Sequence, residues 1–491
     1  MEQFFNPKQC ESQNSNTHLF SFLHMDSSDE KHVQRICIIG AGIAGLTAGA
    51  LLSKKGYHVE IYEKAPLLGG RALSLDGSSL TESFYKEILS SYHSFIAFSE
   101  PSFKDIIDKG LLRGYRIDLG YHAIGGGVFS NLNSVLDEFG EHIDFLESYV
   151  GFINEQGYCF PFLSAVDKIK ILPYILRLLY ATEKTLNELD SVSISETIRR
   201  YGKGKMKLIL EIFSRSITTV NDLDRISTGE MFRAQRNLYR GSKPVGYPKK
   251  GLGSIHETLA QIIKRQGGTI HLNSQVDAII IEDNMAKGIM LNEKKHRFDI
   301  VVSSVLLQDL FSLAEESMFP EEYVTTLKSL TGTGSLSGYY CLNDIPEDLI
   351  GKTFHFLERN AGVEGNDAVG MIDFMAADET AGITPSGVHL VQSYIICTPD
   401  EAKDMNTLTR LKAVLDKNLE RLIPDYKDQL QWAMYPSVWH LDGVAKTIDN
   451  IKPTIHTPIQ DLYVIGDGVK VMGIGFNGAL NSARLLSTYF W

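Results

Sequence analysis

Val33-Gln-Arg-Ile-Cys-Ile-Ile-Gly40-Ala-Gly42-Ile-Ala-Gly45 leads into an apolar run that ends near Leu52, and Gly56-Tyr-His-Val-Glu-Ile-Tyr-Glu63 follows. The stretch reads as a strand, a glycine-rich turn, a helix and a second strand closing on a carboxylate. Ile36 to Ile39 is continuously apolar, as a buried parallel strand is. Ile43 to Leu52 is apolar nearly all round, as a buried helix is. The three glycines serve different needs. Gly40 permits the tight turn, Gly42 lets the backbone approach a pyrophosphate, and Gly45 lets helix and strand pack closely. The phosphates would then face the unpaired N–H groups at the start of the helix, at Ile43 and Ala44. Glu63 falls about 20 residues further on, where the unit places an acid for ribose hydroxyls. A carboxylate there repels a 2′-phosphate, so NADP is disfavoured.

The rest of the chain narrows the possibilities. Its 491 residues suffice for two or more domains. A net charge of −12 argues against a nucleic-acid partner, because phosphate binding needs a basic face. The five cysteines, at 10, 37, 159, 341 and 397, form no CxxC pair and fit a reducing compartment. No metal site is expected. No apolar run reaches the roughly 20 residues that span a bilayer. Residues 1–32 carry Glu2, Glu11, Asp26, Asp29 and Glu30 and no arginine. They read as a disordered extension rather than a secretion or transit signal. A cytoplasmic location is expected, with peripheral membrane contact open and the oligomeric state undetermined.

Two further blocks carry pattern. Tyr247-Pro-Lys-Lys-Gly-Leu-Gly precedes a helix with Ile255, Leu259, Ile262 and Ile263 at helical spacing. A strand (269–272), a hairpin (276–291) and a strand (299–303) follow. At the C-terminus, Asp461-Leu-Tyr-Val-Ile-Gly466-Asp467-Gly leads to Gly473-Ile474-Gly475-Phe-Asn-Gly478-Ala and a helix over about 476–488. Gly473–Gly478 also fits GxGxxG, but no second strand follows it, so it is not a second dinucleotide unit. Nor does any other nucleotide fingerprint suggest a separate NAD(P)H domain. The region 84–240 reads as helix-rich and 310–455 as mixed.

Together these blocks resemble the flavoprotein superfamily of amine oxidases, protoporphyrinogen oxidase and phytoene desaturases. Leu68-Gly69-Gly70-Arg71 is similar to the Gly-Gly-Arg after its second strand, and Asp118-Leu-Gly-Tyr-His to its D-x-G strand. Val276 corresponds to the valine whose backbone faces the adenine, and Gly466-Asp467 with Gly475…Ala479 to its C-terminal flavin motif. The resemblance implies FAD as cofactor, with Lys64, Gly70, Arg71, Val276, Gly466 and Ile474 joining the glycine loop and Glu63. Asp467 would accept from a ribityl or ribose hydroxyl, and Arg71 would bring positive charge to the pyrophosphate or ring. The helix from Gly475 would aim its N–H groups at the flavin's pyrimidine edge, with Gly473 and Gly475 admitting the ring.

The implied fold is α/β: a Rossmann-like FAD-binding domain of GR2-type flavoproteins (33–80, 247–310 and 456–491) with an inserted mixed α+β substrate domain (81–246 and 311–455). The phytoene desaturase and carotenoid isomerase branch is the closest in look, although Lys250 stands where its YPxGG segment has a glycine. The expected reaction removes hydride from a C–H of a hydrophobic, isoprenoid or polyene, substrate to flavin N5. Amine or porphyrinogen oxidation with oxygen, flavin-dependent isomerisation, and a non-redox prenyl or lipid carrier are the alternatives. The two-aromatic cage of amine oxidases has no evident counterpart, and Trp432, Tyr435, Trp439 and Tyr463 read as core. His122 and His440 are weak candidates for a base. Residues 166–180 combine large apolar side chains with Lys168, Lys170 and Arg177, a pattern able to lie on a membrane surface, with Pro173 starting or kinking the helix.

Overall fold

Five short apolar strands pair in parallel in the order Thr269–His271, His58–Tyr62, Arg35–Ile39, Ile300–Ser303, Leu462–Val464. This is a computed structural model that describes residues 33–121, 123–236 and 245–491. The extension 1–32 and His122 therefore lie outside the described residues. The helix Ile43–Lys54 follows the central strand and is buried from Ile43 to Ser53. It packs between the helices Gly253–Arg265 and Gly475–Ser487. Such all-round burial explains why its sequence shows no polar face. The expected hairpin, Ala278–Glu282 with Met285–Leu291, gains a third antiparallel strand at Lys294–Arg297.

A second sheet has eight strands, in the order Ser94–Glu100, Leu430–Val438, Gly334–Leu342, His389–Cys397, Ala368–Asp373, Lys352–Glu358, Tyr149–Asn154, Gly157–Cys159. Three of these strands lie in the region read as helix-rich. Their hydrophobic runs are short and partly buried on both faces, so no clean alternation marks them. One face carries Phe354, Phe356, Ile372, Val391 and Ile395 against Leu408, Leu411, Leu415 and Leu419 of the helix Met405–Leu422. The opposite face packs on Ile209, Ile212 and Phe213 of the helix Lys205–Thr218. Trp432 and Tyr435 are core residues, 0% and 1% exposed.

The Tyr247 block is held by Asp118. That carboxylate is buried and accepts from Tyr247 Oη at 2.6 Å and from Ser74 Oγ, while Tyr339 Oη donates to its carbonyl at 2.7 Å. Burial pushes its pKa up to about 6 against the pull of the hydroxyls. Lys250, exposed at the turn that follows, has φ +67°. A left-handed backbone costs an L-residue about 1–2 kcal/mol, and a glycine restores about 0.5–1 kcal/mol of unfolded-chain entropy. Lys250→Gly is therefore expected to stabilise the protein by roughly 0.5 kcal/mol, seen as a higher urea midpoint at unchanged m-value.

Candidate active site

The glycine turn is shaped by its neighbours. Gly40 adopts φ +102°, and a Cβ there would meet Ser304 Oγ at 2.6 Å. Ser304 in turn donates to the carbonyls of Ile39 and Gly40. The next loop doubles back onto the turn, with the Gly69 N–H donating to Ala41 at 2.9 Å. Glu63 is 4% exposed: Oε2 accepts from the Ala41 N–H at 2.7 Å, and Oε1 from the Ala65 N–H at 2.9 Å and Tyr92 Oη at 3.4 Å. The acid at the strand end thus braces the turn while keeping lone pairs for a further donor.

A cavity of about 460 Å³ runs from this turn across to the second sheet. Gly40, Gly42, Ile43, Ala44, Glu63 and Lys64 line one side. Gly70, Arg71 and Val276 follow, then Gly466, Asp467, Ile474 and Gly475. Gly45 and Gly473 are not on the lining. Gly45 instead sits so close to the turn that a Cβ would come within 2.0 Å of the Gly40 carbonyl oxygen, and Gly473 forms a left-handed turn (φ +103°) before the last helix. Two helices begin at the cavity, capped by Gly42 and by Ile474 with no side-chain cap, so their first N–H groups are left for a ligand. Positive helix ends within one elongated cavity, with an acid beside the first, fit a dinucleotide with an anionic middle and an electron-accepting ring.

Arg71 and Asp467 both line the cavity, where the resemblance places them beside the cofactor. They pair with each other, Nη2 to Oδ1 at 2.5 Å and Nη1 to Oδ2 at 3.3 Å. Arg71 Nη1 also donates to the His440 and Leu441 carbonyls, and the Gly443 N–H donates to Asp467 Oδ2 at 2.7 Å. Burial raises the carboxyl's pKa, but the guanidinium's charge and hydrogen bonds outweigh it and hold Asp467 below the usual carboxylate range. The charge of Arg71 is thus neutralised in place, and the pair clamps residues 440–443 over the strand end that precedes Gly466.

Sequence reading missed much of the remaining lining. Asp442 faces the cavity, paired with the buried Lys446 and accepting from Thr219 Oγ1 at 3.3 Å. A Cβ on Gly475 would meet Asp442 Oδ1 at 3.3 Å, which places this carboxylate over the start of the last helix. The i, i+4 acid–base pair inside the apolar stretch 441–446 was the available signal. His440 stands apart: it borders a neighbouring cavity of about 350 Å³ and touches the ring of His93, which lines the main one. Burial and the positive charge of His93, Arg71 and Lys403 hold its pKa down to about 4. The structure therefore does not bring it to the main cavity as a base.

Across from the glycine turn the lining is apolar, with Val150, Phe213, Ile217, Met371 and Leu441, and two aromatic rings. Tyr121 and Tyr394 stack at 4.9 Å with their planes 16° apart. Tyr121 Oη donates at 2.7 Å to Asp373 Oδ2, which also accepts from Thr353 at 3.2 Å, while Oδ1 accepts from the Met375 N–H at 2.6 Å. Among the described residues no cation pairs with Asp373, and burial raises its pKa to about 6. A raised folded pKa means that the ionised form costs stability: the carboxyl is harmless below its unfolded value and penalises the fold as pH rises through about 6. Asp373→Asn is thus expected to gain stability progressively from pH 4 to pH 6, levelling at about 2–3 kcal/mol above that. Urea unfolding at pH 5 and pH 8 checks the sign.

This fold and cavity define a dinucleotide-binding protein whose ligand would lie between a parallel sheet and a larger, mostly antiparallel one. Residues 43–488 match the model of the family described as flavin containing amine oxidoreductase, and the chain belongs to that family. It is 26% identical over 280 residues to a 4,4′-diapophytoene desaturase (4,4′-diapolycopene-forming) of Methylomonas sp., covering 53% of this chain and 51% of the relative. The chain thus aligns with about half the length of that curated relative. An oxidoreductase from Methanosarcina mazei superposes with a TM-score of 0.69 at 21% identity, covering 92% of this chain and 100% of the other. Putrescine oxidase bound to putrescine gives 0.62 at 13% identity, covering 93% and 98%.

Proposed function

We propose that this enzyme withdraws hydride from a C–H bond of a hydrophobic, isoprenoid- or polyene-like substrate. The observation that carries the reading is the apolar lobe opposite the glycine turn, formed by Val150, Phe213, Ile217, Met371 and Leu441 around the Tyr121–Tyr394 stack. Bound FAD supplies the two-electron acceptor. The residues fit it: the glycine turn and the helix starting at Ile43 would hold the phosphates, Glu63 the ribose, and the helix at Gly475 the ring edge. The apolar lobe orients the C–H and excludes water. An amine reading is less well served, because rings 4.9 Å apart are in contact and leave no slot for an amine between them. The similarity to a diapophytoene desaturase favours the same choice.

The helix Ala165–Leu179 supports a lipid-borne supply. Val166, Ile169, Leu172, Leu176 and the adjacent Tyr180 follow helical spacing and are 43–82% exposed. Pro173 lies inside this single helix, neither starting nor ending it. Exposed Lys168, Lys170 and Arg177 flank the row, and Asp167 is engaged by Lys205, so the helix is basic in a chain of net charge −12. Ile171, on the inner side, packs with the cluster of Tyr121, Met371 and Tyr394. An anionic bilayer matches this face. Among the described residues no helix is long and apolar enough to cross one.

Anaerobic titration of the FAD-loaded protein tests the chemistry. Bleaching of the visible spectrum by at least one isoprenoid in detergent, phytoene or farnesol, with none by putrescine, is the expected result. Bleaching by putrescine with peroxide released on aeration would replace the reading with amine oxidation. A protein that stays colourless with ample FAD would leave only a carrier. Flotation with phosphatidylglycerol vesicles tests the surface: the wild type should float and Ile169→Glu/Leu172→Glu should not. Concentration-dependent dimerisation abolished by the same pair would assign that face to a second copy instead.

A further inference from the structure

The floor of the apolar lobe is a row of side chains from three adjacent strands. His355 lies opposite Met371, and Met371 opposite Tyr394, so all three project from one face of the sheet. His355 and Tyr394 are 5% and 4% exposed and line the cavity. His355 Nδ1 meets Ser216 Oγ at 3.2 Å, and Ser216 comes from the helix that roofs the same lobe. Neither His355 Nε2 nor Tyr394 Oη has a hydrogen-bond partner among the described residues, in contrast to Tyr121, whose hydroxyl is committed to Asp373. Both residues line the cavity, so these atoms are left to whatever fills it, and a polar group covered by an apolar ligand costs free energy. A ligand made only of carbon and hydrogen would leave both of them dry.

We infer that the substrate carries a hydroxyl or carbonyl oxygen at the end that reaches the His355–Tyr394 row, so that it is an oxygen-bearing lipid rather than a bare hydrocarbon. The inference rests on the hydrophobic-substrate reading above and specifies it. The chemistry of the row suits an uncharged oxygen. Burial holds His355 down to about 4, so its ring is neutral at physiological pH and offers one N–H or one lone pair, according to which role Nδ1 plays toward Ser216. Tyr394 is kept protonated by burial and by the charge of Asp442, and can donate or accept. No Lys or Arg lines this part of the cavity among the described residues, so a carboxylate or phosphate end group would be bound without a counter-charge.

Calorimetric titration of the FAD-loaded protein with farnesol and with farnesene, which share a carbon skeleton, farnesene carrying a further C=C in place of the hydroxyl, is the test. Farnesol should bind at least about tenfold more tightly, since a site built around a hydrogen bond discriminates against a ligand lacking it. Tyr394→Phe and Ser216→Ala should each reduce that ratio, and His355→Phe should bring it close to one, with farnesene affinity held. Tyr394→Phe removes a single oxygen, so it remains informative should the histidine variant misfold. Equal binding of the two probes by the wild type, or a ratio that none of the variants changes, would overturn the inference while leaving the hydrophobic reading in place. If neither probe binds and putrescine does, the hydrophobic reading itself falls, and this inference with it.

Discussion

Gly45→Ala is expected to yield a protein that is colourless and less stable by about 3 kcal/mol or more. The added Cβ would come within 2.0 Å of the Gly40 carbonyl oxygen and 3.1 Å of Ser304 Oγ. Neither can yield cheaply. The Gly40 carbonyl belongs to the turn itself, and the helix that would have to retreat is buried along its length between two others. Moving it away from the strand opens voids against Ile36–Ile39, and interiors packed at crystal density do not absorb such shifts. Gly42→Ala makes the instructive contrast. A Cβ at Gly42 touches only the Gly69 carbonyl oxygen, at 3.9 Å, and its φ of −75° suits any residue. The empty protein should therefore unfold at the wild-type urea midpoint. Its affinity for FAD should nonetheless fall by roughly tenfold or more, about 1.4 kcal/mol, because the methyl stands where the pyrophosphate approaches the backbone. Ultrafiltration with absorbance at 450 nm separates the two variants. Unchanged FAD retention by Gly42→Ala would mean that the turn is not the phosphate seat.

The two glycines also show what kind of information the sequence carried. The strand, turn, helix and second strand of residues 35–62 were legible because each demand there is local: an apolar run, a left-handed turn, a close helix, an acid at a set distance. Ile300–Ser303 was legible as a short apolar run of the same kind, but its parallel pairing with Arg35–Ile39 on one side and Leu462–Val464 on the other was not. The eight-stranded sheet was far less legible. Its strands are drawn from positions as distant as 94 and 438, and burial of both faces of its central strands removes the alternation that would mark them. The residues that line the cavity from this sheet were invisible for the same reason. His355, Met371 and Tyr394 become a row only through cross-strand register, and nothing local distinguishes His355 from any other strand histidine. Tyr121 was within reach, since it follows the Asp118 strand directly, but its stacking partner lies 273 residues away in sequence, so the aromatic pair could not be read. The Arg71–Asp467 pairing is a related case. Each residue was recognised singly by its motif, and each was given to the cofactor, because a sequence does not reveal that two charges 396 positions apart neutralise one another.

Arg71→Met should prove more damaging than Asp467→Asn, and its cost should rise with pH. In the wild type the carboxylate is nearly buried, 6% exposed at the side chain, and its charge is met by the guanidinium at 2.5 Å. Its folded pKa is depressed. The pair therefore contributes stability above the ordinary aspartate pKa that is lost as pH falls through the lower folded value. Removing Arg71 leaves a poorly compensated charge that keeps, among the described residues, the Gly443 N–H as its hydrogen-bond donor. The expected loss at pH 7.5 is about 3–5 kcal/mol. The sign of the pH dependence should also invert. Without the guanidinium, burial outweighs what remains, the Gly443 N–H and the charge of Lys446, and raises the Asp467 pKa, so acidification protonates it at little cost. Arg71→Met should thus lie nearer the wild type at pH 5 than at pH 7.5 in urea unfolding. Asp467→Asn leaves Arg71 with the His440 and Leu441 carbonyls and an exposure of 28%, so it should cost roughly half as much. The double variant removes both charges and should be more stable than Arg71→Met alone, with a coupling of about 2 kcal/mol in the mutant cycle. A cycle that closes additively, with no pH dependence in Arg71→Met, would mean that the pair does not clamp residues 440–443. Those residues include Asp442, so a loosened clamp should also appear as weakened FAD retention in Arg71→Met.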